Sequence, residues 1–410
     1  MSLPAVDDRF AAFRHNAYLR FWMARFVTTL SAQIVSVAVG WQVYDLTRDP
    51  YDLGLVGLVQ FLPALLLVLV TGAAADRFGR RLIAALATLL EAACAGFLLV
   101  FTAAGGGSVV IVFAVLFVFG IARAFYGPAT GALVANLVPA EDFANAVAWN
   151  SSAWQTATIA GPVIGGLLYG LSALLPYAAA VGLFALAAIL LMSIPKPPQH
   201  IVDERPTLTT LLAGFGYIWS EKIVLGAISL DLFAVLLGGA VALMPVFARD
   251  ILVLGPWGLG LLRAAPGLGA VFAAIVLTAR PVRDHAGMIM FVAVAFFGAF
   301  TAAFGVSATA WLSILLLALA GAADMVSVFI RETLIQLWTP DRLRGRVNAV
   351  NMVFVGASNE LGEFRAGLMA GAIGAVPAVV IGGVGSVAVA GVWAWAFPAL
   401  RRARRLDGRA

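Results

Sequence analysis

Charge and sulfur are what this chain has least of. Only 11% of its 410 residues are charged, against about 25% in a soluble globular domain. It has one cysteine, Cys94, so no disulfide can close within the chain and thiols cannot assemble a metal cluster. The three histidines, His15, His200 and His285, all fall in polar segments, which leaves the apolar runs without imidazole. No metal-ligand spacing and no phosphate loop occurs, and Gly105-Gly106-Gly107 reads as a turn. Neither an enzyme nor a cofactor is expected. Apolar residues make up 62% of the chain, and no soluble domain could hide that much surface, so the solvent must be lipid. The net charge of +5 then belongs to loops held at one membrane face, not to nucleic-acid binding.

The spacing predicts spans close to the ~20 residues that cross about 30 Å: 20–43, 53–75, 82–103, 108–128, 144–170, 174–194, 223–247, 257–279, 287–306, 310–331, 346–372 and 375–398. The first is long and no small-residue cleavage site follows it, so it reads as a retained helix. The basic residues orient the set. Arg9, Arg14, Arg20, Arg77, Arg80, Arg81, Lys196, Arg205, Lys222, Arg280, Arg283, Arg331, Arg342, Arg344, Arg346 and the arginines from Arg401 to Arg409 fall on one side; the other side has Arg48 and Arg249. This places both termini in the cytoplasm and predicts a multi-pass protein of the inner membrane.

The connection from Pro195 to Lys222 divides the chain. It opens on Pro195-Lys196-Pro197-Pro198, and then Leu208, Leu211, Leu212, Phe215, Ile218 and Trp219 recur at helical spacing. That predicts an amphipathic helix on the membrane surface. The expected organisation is a six-helix bundle at 1–195, a cytoplasmic linker at 196–222, and a second bundle with a basic tail at 223–410. The halves repeat. A shift of 201 carries Pro139 onto Pro340, Asn150 onto Asn351, Gly120 onto Gly321, Gly161 onto Gly362 and Arg123 onto Asp324; a shift of 203 carries Gly57 onto Gly260 and Pro63 onto Pro266. Two bundles related by duplication are the architecture of transporters that rock about a central site.

A charge inside a span costs roughly 2.5–3.5 kcal/mol on insertion scales, so it needs a partner, water or a function. The set is Arg25, Glu91, Arg123, Asp231, Arg263, Asp324, Glu360, Glu363 and Arg365. Arg263 reads as snorkelling to the surface; Arg25 either snorkels or faces a cavity. Glu360 and Glu363 are one helical turn apart on one face, with Arg365 nearby. Asp324 and Arg123, at equivalent positions of the repeat, read either as a fixed ion pair or as one that exchanges with a proton or substrate.

The tightest charged turn is Gly72-Ala73-Ala74-Ala75-Asp76-Arg77-Phe78-Gly79-Arg80-Arg81. Gly72 would let another helix approach, Gly79 would supply a positive φ for the reversal, and the arginines would hold the turn in the cytoplasm. This run resembles the turn signature of the major facilitator superfamily: Gly, three residues, Asp, Arg, a spacer, Gly and a basic pair. Arg123 with Gly127 resembles a second signature of that superfamily, with Tyr126 where glutamine is frequent. Gly161-Pro162-Val163-Ile164-Gly165-Gly166 resembles the signature of its proton-antiporter branches, with Ala157 where glycine is frequent. End to end, the chain looks like the enterobactin-exporter-like branch, also called transmembrane secretion effectors. The carrying stretches are Gly40–Thr47, Leu53–Gly57 with Gln60–Pro63, the Asp76 turn, Pro245–Asp250, Arg344–Asn348 and Asn359–Gly367.

The resemblance implies an all-α fold of two pseudo-symmetric bundles whose first, fourth, seventh and tenth spans line a cavity. It places Arg25, Gln33, Arg123, Asp231 and Asp324 there, with Glu360 and Glu363 in the eleventh span. Asp231 and Asp324 would carry protons, Arg123 would answer their charge, and Gly72, Asp76, Arg77, Gly79, Arg80 and Arg81 would gate by docking the halves. Gly161, Pro162, Gly165 and Gly166 would shape and pack the fifth helix. The implied function is proton-coupled export of a siderophore or a hydrophobic small molecule by a monomer in the bilayer. The alternative is an uptake permease or uniporter; a non-transporting receptor is disfavoured by the intramembrane charges.

Overall fold

In the computed structural model of the chain, the described residues are 8–196, 215–280, 282 and 284–403. They are helical, with no strand among them. The long helices are α1 (Asn16–Thr47), α2 (Pro50–Arg77), α3 (Arg80–Ala103), α4 (Val109–Leu133), α5 (Phe143–Leu171), α6 (Leu175–Ser193), α7 (Lys222–Gly238), α8 (Gly255–Ala279), α9 (Ala286–Val306), α10 (Ala310–Trp338), α11 (Asp341–Ile373) and α12 (Ala375–Ala396). After α7 the chain continues through a 3-10 turn, Val241–Leu243, one α-turn, Met244–Val246, and a π-turn, Phe247–Ile251.

Counting α7 with its continuation to Ile251, 10 helices are long and apolar enough to cross a membrane. The other two are α5 and α11, of 29 and 33 residues. Length is not what they lack. Asn145, Asn150, Gln155 and Thr156 interrupt α5, and Asn348, Asn351, Asn359, Glu360 and Glu363 interrupt α11. The two are equivalent under the repeat, so both halves place their most polar long helix at the same position.

The chain forms two compact units. One holds the residues up to Gln42 and those from Val59 into the linker; the other holds Val43–Leu58 with the remainder of the chain. In the first, Tyr18, Phe21, Leu133 and Leu191 are fully buried in one cluster. In the second, Leu230, Met290, Ile330 and Leu400 are. Leu65, Leu66, Val100, Phe272 and Trp395 are exposed, as lipid-facing side chains should be. Of the linker expectation, residues 215–220 are helical, Ile218 is buried beside Val224, Ile228 and Val347, and Trp219 is exposed. Leu208, Leu211 and Leu212 lie outside the described residues.

The repeat reappears as backbone contact. A Cβ on Gly120 of α4 would meet Gln60 of α2, 3.0 Å from its carbonyl carbon. A Cβ on the equivalent Gly321 of α10 would strike Pro266 of α8, 2.5 Å from its Cα. Likewise Gly161 and Gly165 of α5 press on Leu30, Gln33 and Ile34 of α1, while Gly362 of α11 presses on Val235 and Leu236 of α7. Lipid supplies no hydrophobic force between helices, so such close approach supplies the packing energy instead. Replacing Gly120 with leucine is expected to cost about 1–3 kcal/mol through overpacking. Gly170, with nothing within 4 Å of its Cβ position, should accept leucine without loss. Thermal unfolding of the two variants in one detergent checks the contrast.

Candidate functional site

The charged turn is built differently from its sequence reading. Gly79 sits at φ −60°, ψ 111°, an extended conformation open to any residue, so no positive φ makes the reversal. A Cβ on Gly72 would meet nothing within 4 Å among the described residues, so no close approach there calls for glycine. The Asp76 side chain lies outside the described residues, and Arg77 is exposed. Arg80 and Arg81 are engaged within the first unit. Arg80 donates to the Ala132 carbonyl at 3.1 Å and to Asn136 Oδ1 at 2.9 Å. Arg81 donates to the Ile194 carbonyl, and Arg20 to that of Ser193. These carbonyls stand at the ends of α4 and α6, where backbone acceptors lack intrahelical partners and the helix dipole favours a cation.

In the same unit α1, α3 and α4 line a half-open cavity of about 110 Å³, bounded by Thr28, Thr29, Ala32, Glu91, Arg123, Tyr126 and Gly127. Gly127 keeps one wall open, with nothing within 4 Å of its Cβ position. Arg25 lies beside this cavity, 3.4 Å from Thr130 Oγ1 through Nη1. Gln33 is half-buried beneath Gly161, whose Cβ position is 2.5 Å from Gln33 Cβ. Pro162 is buried within an unbroken α5, and Gly166 is buried beside it.

The second unit holds the other expected residues. Asp231 of α7 forms a buried ion pair with Arg331 of α10, at 9% and 4% side-chain exposure. Arg331 Nε also lies 3.6 Å from Glu332, which accepts from Asn351 of α11 at 2.9 Å. The sequence reading put Arg331 at a membrane-surface loop. It is inside the bundle because α10 runs on to Trp338, and it lies seven residues from Asp324, on the same helical face. Asp324 itself is half-buried and has no ion-pair partner within 4.0 Å among the described residues.

The α11 cluster meets two different demands. Arg365 donates to the carbonyls of Leu236, at 2.8 Å, and Leu237, taking the acceptors freed where α7 breaks at Gly238-Gly239. Glu360 and Glu363 converge on Gly57 of α2, whose Cβ position is 2.5 Å from Glu360 Oε2 and 3.4 Å from Glu363 Oε2. Arg263 is within electrostatic reach of Glu363.

The stretches that carried the family resemblance pair up inside this unit. Tyr44 donates to the Asp250 carboxylate, and Arg249 pairs with Asp45. Arg48 lies 3.5 Å from Asp250 and 3.9 Å from Asp45. A Cβ on Gly54 would lie 3.1 Å from Gly367 Cα. The end of α1 and the start of α2 are thus clasped to α11 and to the π-turn after α7. Sequence reading saw these segments as motifs, not as partners; the signal was the complementary Asp/Arg content of two short loops.

Two helical repeats with polar groups turned inward define a membrane transporter of the major facilitator fold. The chain belongs to the transmembrane secretion effector family, which matches residues 8–407. It is 27% identical over 379 residues to the enterobactin exporter EntS of Escherichia coli O1:K1 / APEC, covering 88% of this chain and 86% of that protein, and equally to that of Shigella boydii serotype 18. Among solved structures it is similar to a bacterial homolog of the human lysosomal transporter Spinster, inward-facing and occupied (TM-score 0.74, 15% identity, 95% and 96% coverage). It is also similar to the D-xylose-proton symporter (TM-score 0.68, 15% identity, 93% and 98%). The family and fold are those of transporters, not enzymes.

Removing one member of the buried Asp231–Arg331 pair should cost about 3–5 kcal/mol, because the other charge is left uncompensated. Arg331→Met is therefore expected to lower stability sharply, and the double replacement Asp231→Leu with Arg331→Met to recover most of the loss. Melting of the purified variants measures both.

Proposed function

We propose that the protein is a secondary active exporter of the inner membrane, with both termini in the cytoplasm, moving a catecholate siderophore or a hydrophobic small molecule outward in exchange for protons. The observation that carries this reading is end-to-end membership of the secretion effector family together with likeness to enterobactin exporters over 88% of the chain. The bundles at 1–195 and 223–410 would rock about a central site. Asp324, half-buried without an ionic partner, suits a carboxylate that exchanges a proton. Asp231 would bind a proton less readily, because Arg331 competes for it. Breaking the Tyr44–Asp250 and Asp45–Arg249 contacts would open the outer end, and Arg80 and Arg81 would brace the opposite end. Arg123 supplies a cation whose position answers the protonation of acids around it.

Everted vesicles energised by respiration test the direction and the coupling. A panel of catecholate siderophores, dyes and antibiotics is added while a pH-sensitive dye reports lumenal acidity. Some compounds are expected to release protons with wild-type protein, and Asp324→Asn is expected to abolish that release while the protein stays folded in the membrane. Proton release unchanged in Asp324→Asn sinks the assignment of that acid. No response to any compound, with the protein confirmed in the membrane, favours uptake or a substrate outside the panel.

A further inference from the structure

A second acid satisfies the physical requirements of a proton site better than any other in the first unit. Glu91 of α3 is 1% exposed, and its Oε2 has no hydrogen-bond partner. It points into the 110 Å³ cavity, whose opposite wall is Arg123 of α4. Among the described residues neither side chain has an ion-pair partner within 4.0 Å, although each lies in the other's field. A carboxylate oxygen so placed has no protein donor to stabilise its charge, which favours the neutral acid.

The surroundings narrow the ligand. Thr28 and Tyr126 interact with each other through their hydroxyls beside Glu91, and Arg25 Nε is buried without a hydrogen-bond partner. The cavity is roomy for several waters, which need about 10–15 Å³ each on this measure. It is too small for drug-sized molecules, whose pockets run to about 300–1,000 Å³. A metal cation is disfavoured by the Arg123 guanidinium in the cavity lining. The ionisable groups around Glu91 are few. From α4 come Arg123 and Tyr126, from α1 Arg25, and from its own helix Cys94, which is buried. The adjacent α6 has only Tyr177, already donating to Gln42.

We propose that Glu91 is a proton-binding residue, loaded through the water-sized cavity it shares with Arg123. The step is a Brønsted transfer. A hydronium in the cavity gives its proton to Oε2: one of its own O–H bonds breaks, a carboxyl O–H bond forms, and water is left. Protonated, the acid can donate to Thr28 or Tyr126; deprotonated, it draws the Arg123 guanidinium across the cavity. This deepens the proton-coupled reading above by adding a second site in the other unit, on a helix that the family resemblance did not single out.

The test needs no substrate, so its result stands apart from that of the vesicle experiment. The full chain is reconstituted in lipid nanodiscs, and infrared difference spectra are recorded as the buffer is taken from acid to alkaline. Wild type is expected to lose a carbonyl-stretch band of a buried, protonated carboxyl group. That band should be wholly absent in Glu91→Gln, kept in Asp324→Asn, and moved in frequency in Glu91→Asp. A Glu91→Gln spectrum identical to wild type overturns the proposal. If that variant fails to fold, an unmoved band in Glu91→Asp overturns it equally, because a changed acid must change its own vibration.

Discussion

Lipid forms no hydrogen bonds, and that constraint decides where each polar group of this protein goes. Backbone groups are closed within helices, so the exposed acceptors are confined to helix ends and breaks. The protein meets them with arginine. Arg80 takes the carbonyl at the end of α4, Arg81 and Arg20 take those after α6, and Arg365 takes the pair freed where α7 breaks. One guanidinium carries five donors in a fixed fork, so a single residue can close a whole helix end. Removing such an arginine would strand acceptors that no lipid can satisfy.

The same solvent explains why glycine carries the repeat. Helices in lipid gain by close backbone approach, and a Cβ at Gly120, Gly161, Gly321 or Gly362 would intrude on a neighbouring backbone or side chain. Such a position tolerates almost nothing else. Charged positions are less bound, since a buried charge can be paired in several geometries or replaced by an apolar residue. Duplication therefore left the packing glycines in register while the acids and bases diverged. Arg123 in one half answers to Asp324 in the other, and the Asp76 turn has no counterpart around Arg280.

That difference sets what could be read from sequence. The helices, their order and the internal repeat were legible because each rests on hydropathy and backbone proximity. Residue roles at the charged turn were not. Gly72 and Gly79 looked like a close approach and a positive φ, but one faces open space and the other is extended. Composition names the residue and not its neighbour. The Asp231–Arg331 pair was hidden for a related reason: the tenth helix outruns its apolar stretch, so Arg331 looked like a loop residue. Glu91 was counted among the intramembrane charges, yet nothing local to it marks burial, because Arg123, Thr28 and Tyr126 come from other helices.

Asp231 and Glu91, one acid from each unit, are held in opposite ways. Asp231 is held by a guanidinium in direct contact, with Glu332 and Asn351 behind it. Protonating Asp231 would leave that guanidinium without its counter-charge inside the bundle. Glu91 faces its guanidinium across a cavity instead, with one oxygen unpartnered. A closed pair resists proton exchange, because the proton must compete with a full charge at contact distance. An open pair does not, because the gap admits water and the neutral acid has hydroxyl partners at hand. Stability argues for closing such a gap, since an unsatisfied buried polar atom costs about 1–3 kcal/mol. A cavity kept open between an acid and a base, in a chain with so few charges, is best understood as the cost of moving one proton.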